Sequence, residues 1–195
     1  IAGSELFTGH TMFLTLGVKA GTISQSQMWA ILPQTWMGNL LGSVFVALLY
    51  CWGSGSLLPV DSSLVHTVAL AKTSQSAMAL FFKGALCNWL VCLAIWMAIR
   101  TEGAAKFIAI WWCLLAFIAS GYEHSVANMT LFALSWFGHH SDAYTLAGIG
   151  HNLLWVTLGN TLSGVVFMGL GYWYATPKSE RPAPEKTNET ESLAQ

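Results

Sequence analysis

Hydrophobic residues lie along this chain in long, almost uninterrupted blocks. Residues 28–52, 77–99 and 152–175 form three such blocks, each long enough to cross a hydrocarbon layer that takes roughly 20 helical residues. Two shorter apolar runs, 107–119 and 126–137, are separated by a polar stretch. We predict a spanning helix that is interrupted in mid-membrane, because irregular backbone at that depth is tolerated only beside a cavity.

The opening segment, residues 1–16, shows a similar pattern. Its apolar run is interrupted around residues 3–5 and again around residues 8–10, which predicts a second broken helix. The chain opens with Ile1, in the middle of this pattern and without a signal-peptide cleavage site. We therefore expect a preceding part that contains one helix and most of a second.

Two short motifs recur at nearly the same separation and indicate an internal repeat. The pairs are Gly3-x-Glu5 with Gly121-x-Glu123, and Gly38-Asn39 with Gly159-Asn160. Together with the expected preceding part, they predict an all-α polytopic membrane protein with a three-plus-three repeat. An odd number of crossings in each half makes the two halves inverted, and such proteins place binding sites between broken helices.

Composition supports a membrane protein and excludes several other classes. The chain is 54% hydrophobic and 9% charged, whereas soluble domains have about 25% charged residues, so a soluble enzyme is excluded. A net charge of −1 gives no basic patch for a nucleic-acid partner. The four cysteines form no C-x-x-C pair, and we expect neither a metal nor a cofactor.

Charge also predicts the orientation of the chain in the membrane. Residues 1–176 form the predicted pore domain, and residues 177–195 have the polar composition of a disordered tail. Loop cations concentrate on one side of the spans, which predicts a cytoplasmic C-terminus; they are Lys19, Arg100, Lys106, Lys178, Arg181 and Lys186. Lys72 is the loop cation predicted on the opposite side.

Three ionisable residues lie in the predicted breaks. Glu5 and Glu123 occupy matching positions, and each marks an ion path or closes its break by accepting backbone hydrogen bonds. His124 has no counterpart in the first copy, where Leu6 stands. It either packs as a core residue or exchanges a proton with an anion. No pair of histidines has the spacing of a metal site.

Polar and bulky residues beside the breaks suggest what passes between them. Thr8 and Ser125 are predicted as N-caps of half-helices whose positive ends face each other, which favours an anion. Leu6 and Phe7 either pack in the core or form a dry constriction that a neutral acid crosses more easily than an anion. Lys72 and Lys83 would attract anions, although Lys83 alternatively snorkels. Asn88 either reaches the conduit or joins two helices.

Four stretches resemble the formate/nitrite transporter family. They are residues 3–9 (GSELFTG), 83–96 (KGALCNWLVCLAIW), 119–129 (ASGYEHSVANM) and 156–160 (VTLGN). The resemblance extends from residue 1 to about residue 176. It implies an aquaporin-like fold, a homopentamer with one pore in each protomer, and passage of small monovalent anions of weak acids across the bacterial inner membrane.

The resemblance also implies roles for individual residues. One constriction, on the periplasmic side, corresponds to Leu6, Phe7 and Val91, and the cytoplasmic one includes Phe117. The gating loop corresponds to Thr8. The anion path corresponds to Lys72, Asn88 and His124, with Glu123 beside the central histidine.

The predicted function is transport of nitrite, with His124 as proton donor or anion contact. A formate channel is an alternative, because both ions are small, planar and singly charged. An aquaporin-like channel for neutral solutes is another. An enzyme is not expected, since no nucleophile and base stand at a workable spacing.

Overall fold

The computed structural model describes residues 5–53, 64–138 and 140–181. These residues form helices joined by short connections. The helices are α1 (Phe7–Ala20), α2 (Gln25–Gly53), α3 (Leu64–Thr73), α4 (Ala77–Ile99), α5 (Ala104–Ala119), α6 (Ser125–Phe137), α7 (Leu146–Leu162) and α8 (Gly171–Ala175). A π-helical stretch, Ser163–Leu170, joins α7 to α8 without a break, and a 3₁₀ turn spans Lys178–Glu180.

Three of these helices are long and apolar enough to cross a membrane. They are Gln25–Gly53, Ala77–Ile99 and the continuous unit Leu146–Ala175. The three spans predicted from hydropathy are therefore confirmed, and two of them are longer than predicted. Backbone groups in hydrocarbon must form their hydrogen bonds within their own helix. An apolar run that crosses the membrane is therefore helical along its whole length.

The second predicted break is confirmed between α5 and α6. Gly121 has a φ of 65°, a left-handed conformation that costs glycine little. It turns the chain so that the Tyr122 N–H bonds back to the Phe117 carbonyl at 3.0 Å. Helix α6 then begins at Ser125, leaving residues 120–124 as the break.

The first predicted break is not found at residues 8–10. Helix α1 begins at Phe7 and continues through residues 8–10, so the interruption predicted there is wrong. Gly9 does not break the helix. A Cβ at Gly9 would lie 2.9 Å from Cδ1 of Ile95, so this glycine permits close packing against α4. Residues 3 and 4 lie outside the described part of the chain, and Glu5 and Leu6 precede the helix.

Helix α3 is absent from the predictions because it contains no long apolar run. Its ten residues end at Thr73, and Lys72 lies in its last turn rather than in a loop. A lysine at this position interacts favourably with the negative end of the helix dipole. Helix α3 packs on α6 and α7, which brings Lys72 toward the second break.

Helices α4 and α7 touch backbone to backbone. A Cβ at Gly84 would lie 2.8 Å from the Val156 carbonyl oxygen. A Cβ at Gly159 would overlap the Phe81 carbonyl oxygen and lie 2.9 Å from the Ala85 nitrogen. Small residues allow such close helix packing in membranes. The contact also places Asn160, the next residue of α7, beside the second break.

The described part of the predicted tail, residues 177–181, is fastened to the end of α8. The Arg181 side chain donates to the Thr176 carbonyl at 3.0 Å and to the Tyr174 carbonyl at 3.3 Å. Residues 182–195 lie outside the described part of the chain, so the prediction of disorder remains a prediction for them.

Candidate functional site

The starts of α1 and α6 meet at a contact between two side chains. Thr8 Oγ1 lies 3.1 Å from Nε2 of His124, and both residues are buried. Each helix is preceded by one extended residue, Leu6 before α1 and His124 before α6. Because the N-terminus of a helix carries a partial positive charge, two starts that meet form a favourable place for an anion.

The His124 ring is oriented by its own helix. Its Nδ1 accepts a hydrogen bond from the Ala127 N–H at 3.1 Å, so the side chain caps α6. The neutral ring therefore carries its hydrogen on Nε2, the nitrogen that faces Thr8. This nitrogen is the ring atom available to an ion that replaces the threonine hydroxyl.

The predicted capping roles of Thr8 and Ser125 are wrong. Leu6 and His124 occupy the N-cap positions, and Thr8 and Ser125 already belong to α1 and α6. The Ser125 hydroxyl is buried and has no hydrogen-bond partner among the described residues. Ser and Thr are the usual caps, which explains the error: the imidazole of His124 makes the bond that a Ser would otherwise make.

An aromatic side chain stacks on the histidine. The rings of Phe117 and His124 stack with their centroids 5.9 Å apart. Phe117 and Val91 share one buried cluster with Cys87. Phe7 packs in a different buried cluster. The structure thus places Val91 in one buried cluster with Phe117, whereas the resemblance assigned these two residues to different constrictions. That assignment remains a prediction.

Glu123 is buried and fully paired. Its side chain is 1% exposed, and its Oε2 lies 2.8 Å from Lys72 Nζ. The Asn128 amide donates to Oε2 at 2.6 Å, and the Gln75 amide donates to Oε1 at 3.1 Å. A buried carboxylate persists when an opposite charge and hydrogen bonds compensate its desolvation. These donors are side chains, whereas the prediction was that Glu123 closes its break by accepting hydrogen bonds from backbone amides.

Lys83 is linked to the same group through Gln75. The Lys83 ammonium donates to Gln75 Oε1 at 2.6 Å, and the amide of Gln75 continues to Glu123. Two lysines and one carboxylate thus form a connected polar cluster beside His124. Gln75 was missed because, in the sequence, it is one of several polar residues between α3 and α4.

Asn88 joins three helices. It is fully buried, and its Nδ2 lies within hydrogen-bonding distance of the Thr8 carbonyl, Thr11 Oγ1 and the Asn160 carbonyl, at 3.2, 3.1 and 2.7 Å. These groups belong to α1 and α7, while Asn88 belongs to α4. In this conformation its amide serves helix packing, and a role in the anion path remains a prediction.

The other candidate side chains lie away from the Thr8–His124 contact. Glu5 is exposed and forms an ion pair with His10. His66 is buried, and its Nδ1 lies 2.9 Å from Ser135 Oγ. Burial raises the pKa of the neighbouring Tyr144 phenol.

Among the described residues no group of three His, Cys, Asp or Glu side chains is placed to hold a metal ion.

Sequence reasoning also assigned no role to Asn128, Asn152 or Asn160, which are all buried. Asn128 and Asn152 bond to each other at 2.9 Å, and Asn160 donates to the Glu123 carbonyl in the second break. Each of them could have been recognised in the sequence as an amide side chain in an otherwise apolar helix, where leaving a polar group unpaired costs free energy. The repeat motif had singled out Asn39 and Asn160 without indicating what they contact.

Comparison with known proteins places the chain among membrane transporters. A family model described as formate/nitrite transporter matches residues 1–174. The chain is 89% identical to the nitrite transporter NirC of Salmonella typhimurium and 84% identical to that of Escherichia coli, covering 100% of this chain and 72% of each relative. It is 35% identical to the formate channel BtFdhC of Bacillus thuringiensis, covering 89% of this chain and 66% of that protein.

Two solved structures have the same fold. A protein described as an FNT family ion channel superposes with a TM-score of 0.88 at 91% identity, covering 90% of this chain and 71% of that one. A pentameric formate channel with formate bound superposes with a TM-score of 0.73 at 26% identity, covering 89% and 75%. The family predicted from the four sequence stretches is thus confirmed, and this chain belongs to the formate/nitrite transporter family.

Proposed function

We propose that this chain conducts nitrite across the bacterial inner membrane, through one pore in each protomer of a homopentamer. The observation that carries the proposal is the Thr8–His124 contact, in which the Nε2 of a buried imidazole lies between two helix starts. Relatives named nitrite transporters match the whole chain at 84% identity or more. The pentameric formate channel that shares the fold supports the oligomeric state.

The geometry supports the following sequence of events. The positive ends of α1 and α6 attract the anion, which replaces the Thr8 hydroxyl and accepts the Nε2–H of His124. A second proton binds the ring at Nδ1 only after the Ala127 N–H bond is given up. The doubly protonated ring then either gives its Nε2 proton to the anion and returns to the neutral form, so that the neutral acid passes the apolar ring of Phe117, or it keeps both protons and its positive charge stabilises the anion before the anion passes.

Uptake by proteoliposomes tests the proposal directly. We expect the complete protein to carry nitrite faster than protein-free vesicles, with a rate that depends on pH. Current recorded at the same time gives the charge moved per anion and separates a passive channel from proton-coupled transport. An uptake rate equal to that of protein-free vesicles would refute the proposed function.

Replacing His124 by Phe should reduce nitrite uptake at least about tenfold, which corresponds to roughly 1.4 kcal/mol. Phe fills a similar volume and still stacks on Phe117, but it offers neither Nε2–H nor a site for a proton. The remaining flux should be nearly independent of pH. Uptake by the variant is compared with that of a His140→Asn variant, because His140 stacks on Trp136, away from the Thr8–His124 contact.

Wild-type uptake and pH dependence in the His124→Phe variant would contradict a role for the imidazole in transport. The His140→Asn control should transport nitrite at the wild-type rate. A loss of flux in both variants would indicate a general effect on folding, and the elution volume of the purified protein distinguishes that case.

We also infer the membrane arrangement from charge and contacts. The chain ends in the cytoplasm, as the positive-inside rule predicts. Lys19, Arg100 and Arg181 support this orientation, since all three lie at one end of the bundle: Lys19 lies 5.6 Å from the ring centroid of Tyr174 in α8, and Arg100 and Arg181 line one pocket. The aquaporin-like inverted repeat belongs to the same proposal.

Formate is the second candidate, favoured by the related structure described with formate bound. Both ions are planar and singly charged, and the Nε2–H of His124 offers each the same hydrogen bond. Competition decides between them: formate added in excess should reduce nitrite uptake in proportion to its own uptake rate. A formate rate well above the nitrite rate would make formate the preferred substrate.

A further inference from the structure

Asn160 holds the backbone on both sides of His124. Its Nδ2 donates to the carbonyl of Glu123 at 3.1 Å, and its Oδ1 accepts from the N–H of Ser125 at 3.0 Å. These two groups belong to the peptide bonds that precede and follow His124. One side chain on α7 therefore fixes both peptide planes of the residue whose imidazole faces Thr8.

Asn39 makes the same pair of bonds around Leu6. Its Nδ2 donates to the carbonyl of Glu5 at 2.9 Å, and its Oδ1 accepts from the N–H of Phe7 at 2.9 Å. Leu6 is therefore enclosed as His124 is, by one asparagine from another helix. Asn39 belongs to α2, and the bond partners flank the start of α1.

The two enclosed residues have nearly the same backbone conformation. Leu6 has φ −118° and ψ 117°, and His124 has φ −111° and ψ 117°. On either side of an extended residue, the carbonyl of the residue before it and the N–H of the residue after it point in the same direction. A neighbouring β-strand forms hydrogen bonds with the same two groups. A carboxamide carries one acceptor and one donor group on a single plane, so asparagine matches this pair.

We propose that Asn160 and Asn39 are positioning residues with different effects on transport. Asn160 fixes the direction of the His124 ring and thereby the proton-linked step. Asn39 fixes Leu6 and thereby the width of the apolar constriction that selects the permeant ion. This division rests on the proposed function, since it assigns the two asparagines to two different properties of the same pore.

The surroundings of the two asparagines differ. Asn160 is fully buried, and its Nδ2 also donates to the Gly84 carbonyl at 2.8 Å. Its own carbonyl accepts from Asn88 at 2.7 Å. Asn39 is half-buried. Asn160 is therefore tied to α4 as well as to the break, and its removal leaves more buried polar groups unpaired.

The test uses Asn160→Ala and Asn39→Ala in the complete protein, with Thr161→Ala and Ser43→Ala as matched controls. Thr161 follows Asn160 on α7 and donates only within its own helix, to the Thr157 carbonyl. Ser43 lies one turn beyond Asn39 on α2 and bonds to Thr130 of α6. Each control removes a polar group from the same helix without a contact to either break.

We expect Asn160→Ala to shift the midpoint of the pH dependence of nitrite uptake by at least about half a pH unit, or to flatten the dependence. The lactate-to-nitrite uptake ratio should stay at its wild-type value. Asn39→Ala should raise that ratio at least about threefold, with an unchanged pH midpoint. Both controls should match the wild type in both measurements.

Hydrogen exchange provides a measurement that does not depend on transport. In Asn39→Ala, exchange should rise in peptides that contain Phe7 and not in those that contain Ser125. Asn160→Ala should show the reverse. If the wild type does not carry nitrite but the exchange pattern holds, the proposed function fails while the backbone contacts stand.

Three outcomes overturn the proposed division. The first is that both asparagine variants change the same transport property, and the second is that they behave like the controls. The third is that Asn160→Ala and a milder Asn160→Ser variant both fail to yield folded protein, since Asn160 would then be a folding residue. In that case the Asn39 variant still decides the role of Asn39.

Discussion

Replacing Gly159 by Ala is expected to lower the free energy of unfolding by about 3 kcal/mol or more, the upper range for overpacking a tight interior. The added methyl group would overlap the Phe81 carbonyl oxygen and lie 2.9 Å from the Ala85 nitrogen. Both are backbone atoms of α4, and neither moves without moving the helix. The midpoint of thermal unfolding in detergent, followed by loss of the folded elution peak, measures the effect.

Gly150→Ala is the matched control on the same helix. Apart from its chain neighbours and its own helix backbone, no heavy atom of the described residues lies within 4 Å of the Cβ position at Gly150, and Ala has the higher helix propensity. This variant should be as stable as the wild type within about 0.5 kcal/mol. Equal destabilisation by the two substitutions would show that close packing of α4 on α7 is not what Gly159 provides.

Replacing Lys72 by Met is expected to destabilise the protein by about 3–5 kcal/mol, because it leaves a buried charge without its partner. The ammonium of Lys72 lies 2.8 Å from a Glu123 oxygen, and the Glu123 side chain is 1% exposed. Gln75 and Asn128 would still donate hydrogen bonds, but neither carries a charge. Thermal unfolding of the purified variant measures the loss.

A double variant separates the ion pair from other contacts of Lys72. Adding Glu123→Gln to Lys72→Met removes the unpaired charge, so the double variant should be more stable than the single one. Lys83→Met is the control, since Lys83 reaches the carboxylate only through Gln75, and it should cost less than about 1 kcal/mol. A double variant no more stable than the single one would contradict the importance of the pair.

Much of the fold was predictable because membrane insertion depends on local properties. The apolar runs of residues 77–99 and 152–175 determine where helices cross, and the polar stretch before Val126 determines where one stops. The left-handed Gly121 adds a turn that glycine favours. None of these features requires knowledge of what the helix packs against.

The errors arose where a residue type has more than one use. Gly9 was interpreted as a break and instead packs against Ile95 inside α1. Ser125 was interpreted as a cap, whereas His124 makes the capping bond. Helix α3 was missed because it is too short to span a membrane. Only for Gly9 does the deciding contact, with Ile95 of α4, belong to another part of the chain.

The sequence predicted several residues of the candidate site but not the contacts between them. His124, Thr8 and Glu123 were singled out as polar groups in apolar surroundings, and the structure places them together. The bond between Thr8 and His124 joins residues that are 116 positions apart, and it cannot be predicted from a local sequence pattern. The paired role of Lys72 was likewise not predicted, since its partner depends on how α3 folds back.

By itself, the sequence determined that this is a helical membrane protein of the formate/nitrite transporter family, where its long spans run, and that a helix stops before His124. Those properties follow from the length of apolar runs and from short motifs. The tertiary structure decided which polar groups face one another. It also decided why a Cβ at Gly159 would overlap α4, while a Cβ at its repeat counterpart Gly38 would meet no described heavy atom within 4 Å outside its chain neighbours and its own helix backbone. The physical reason is that hydrogen bonds and packing contacts join residues that are far apart in the chain. The length of an apolar run, in contrast, is a property of one continuous segment and can be measured from the sequence.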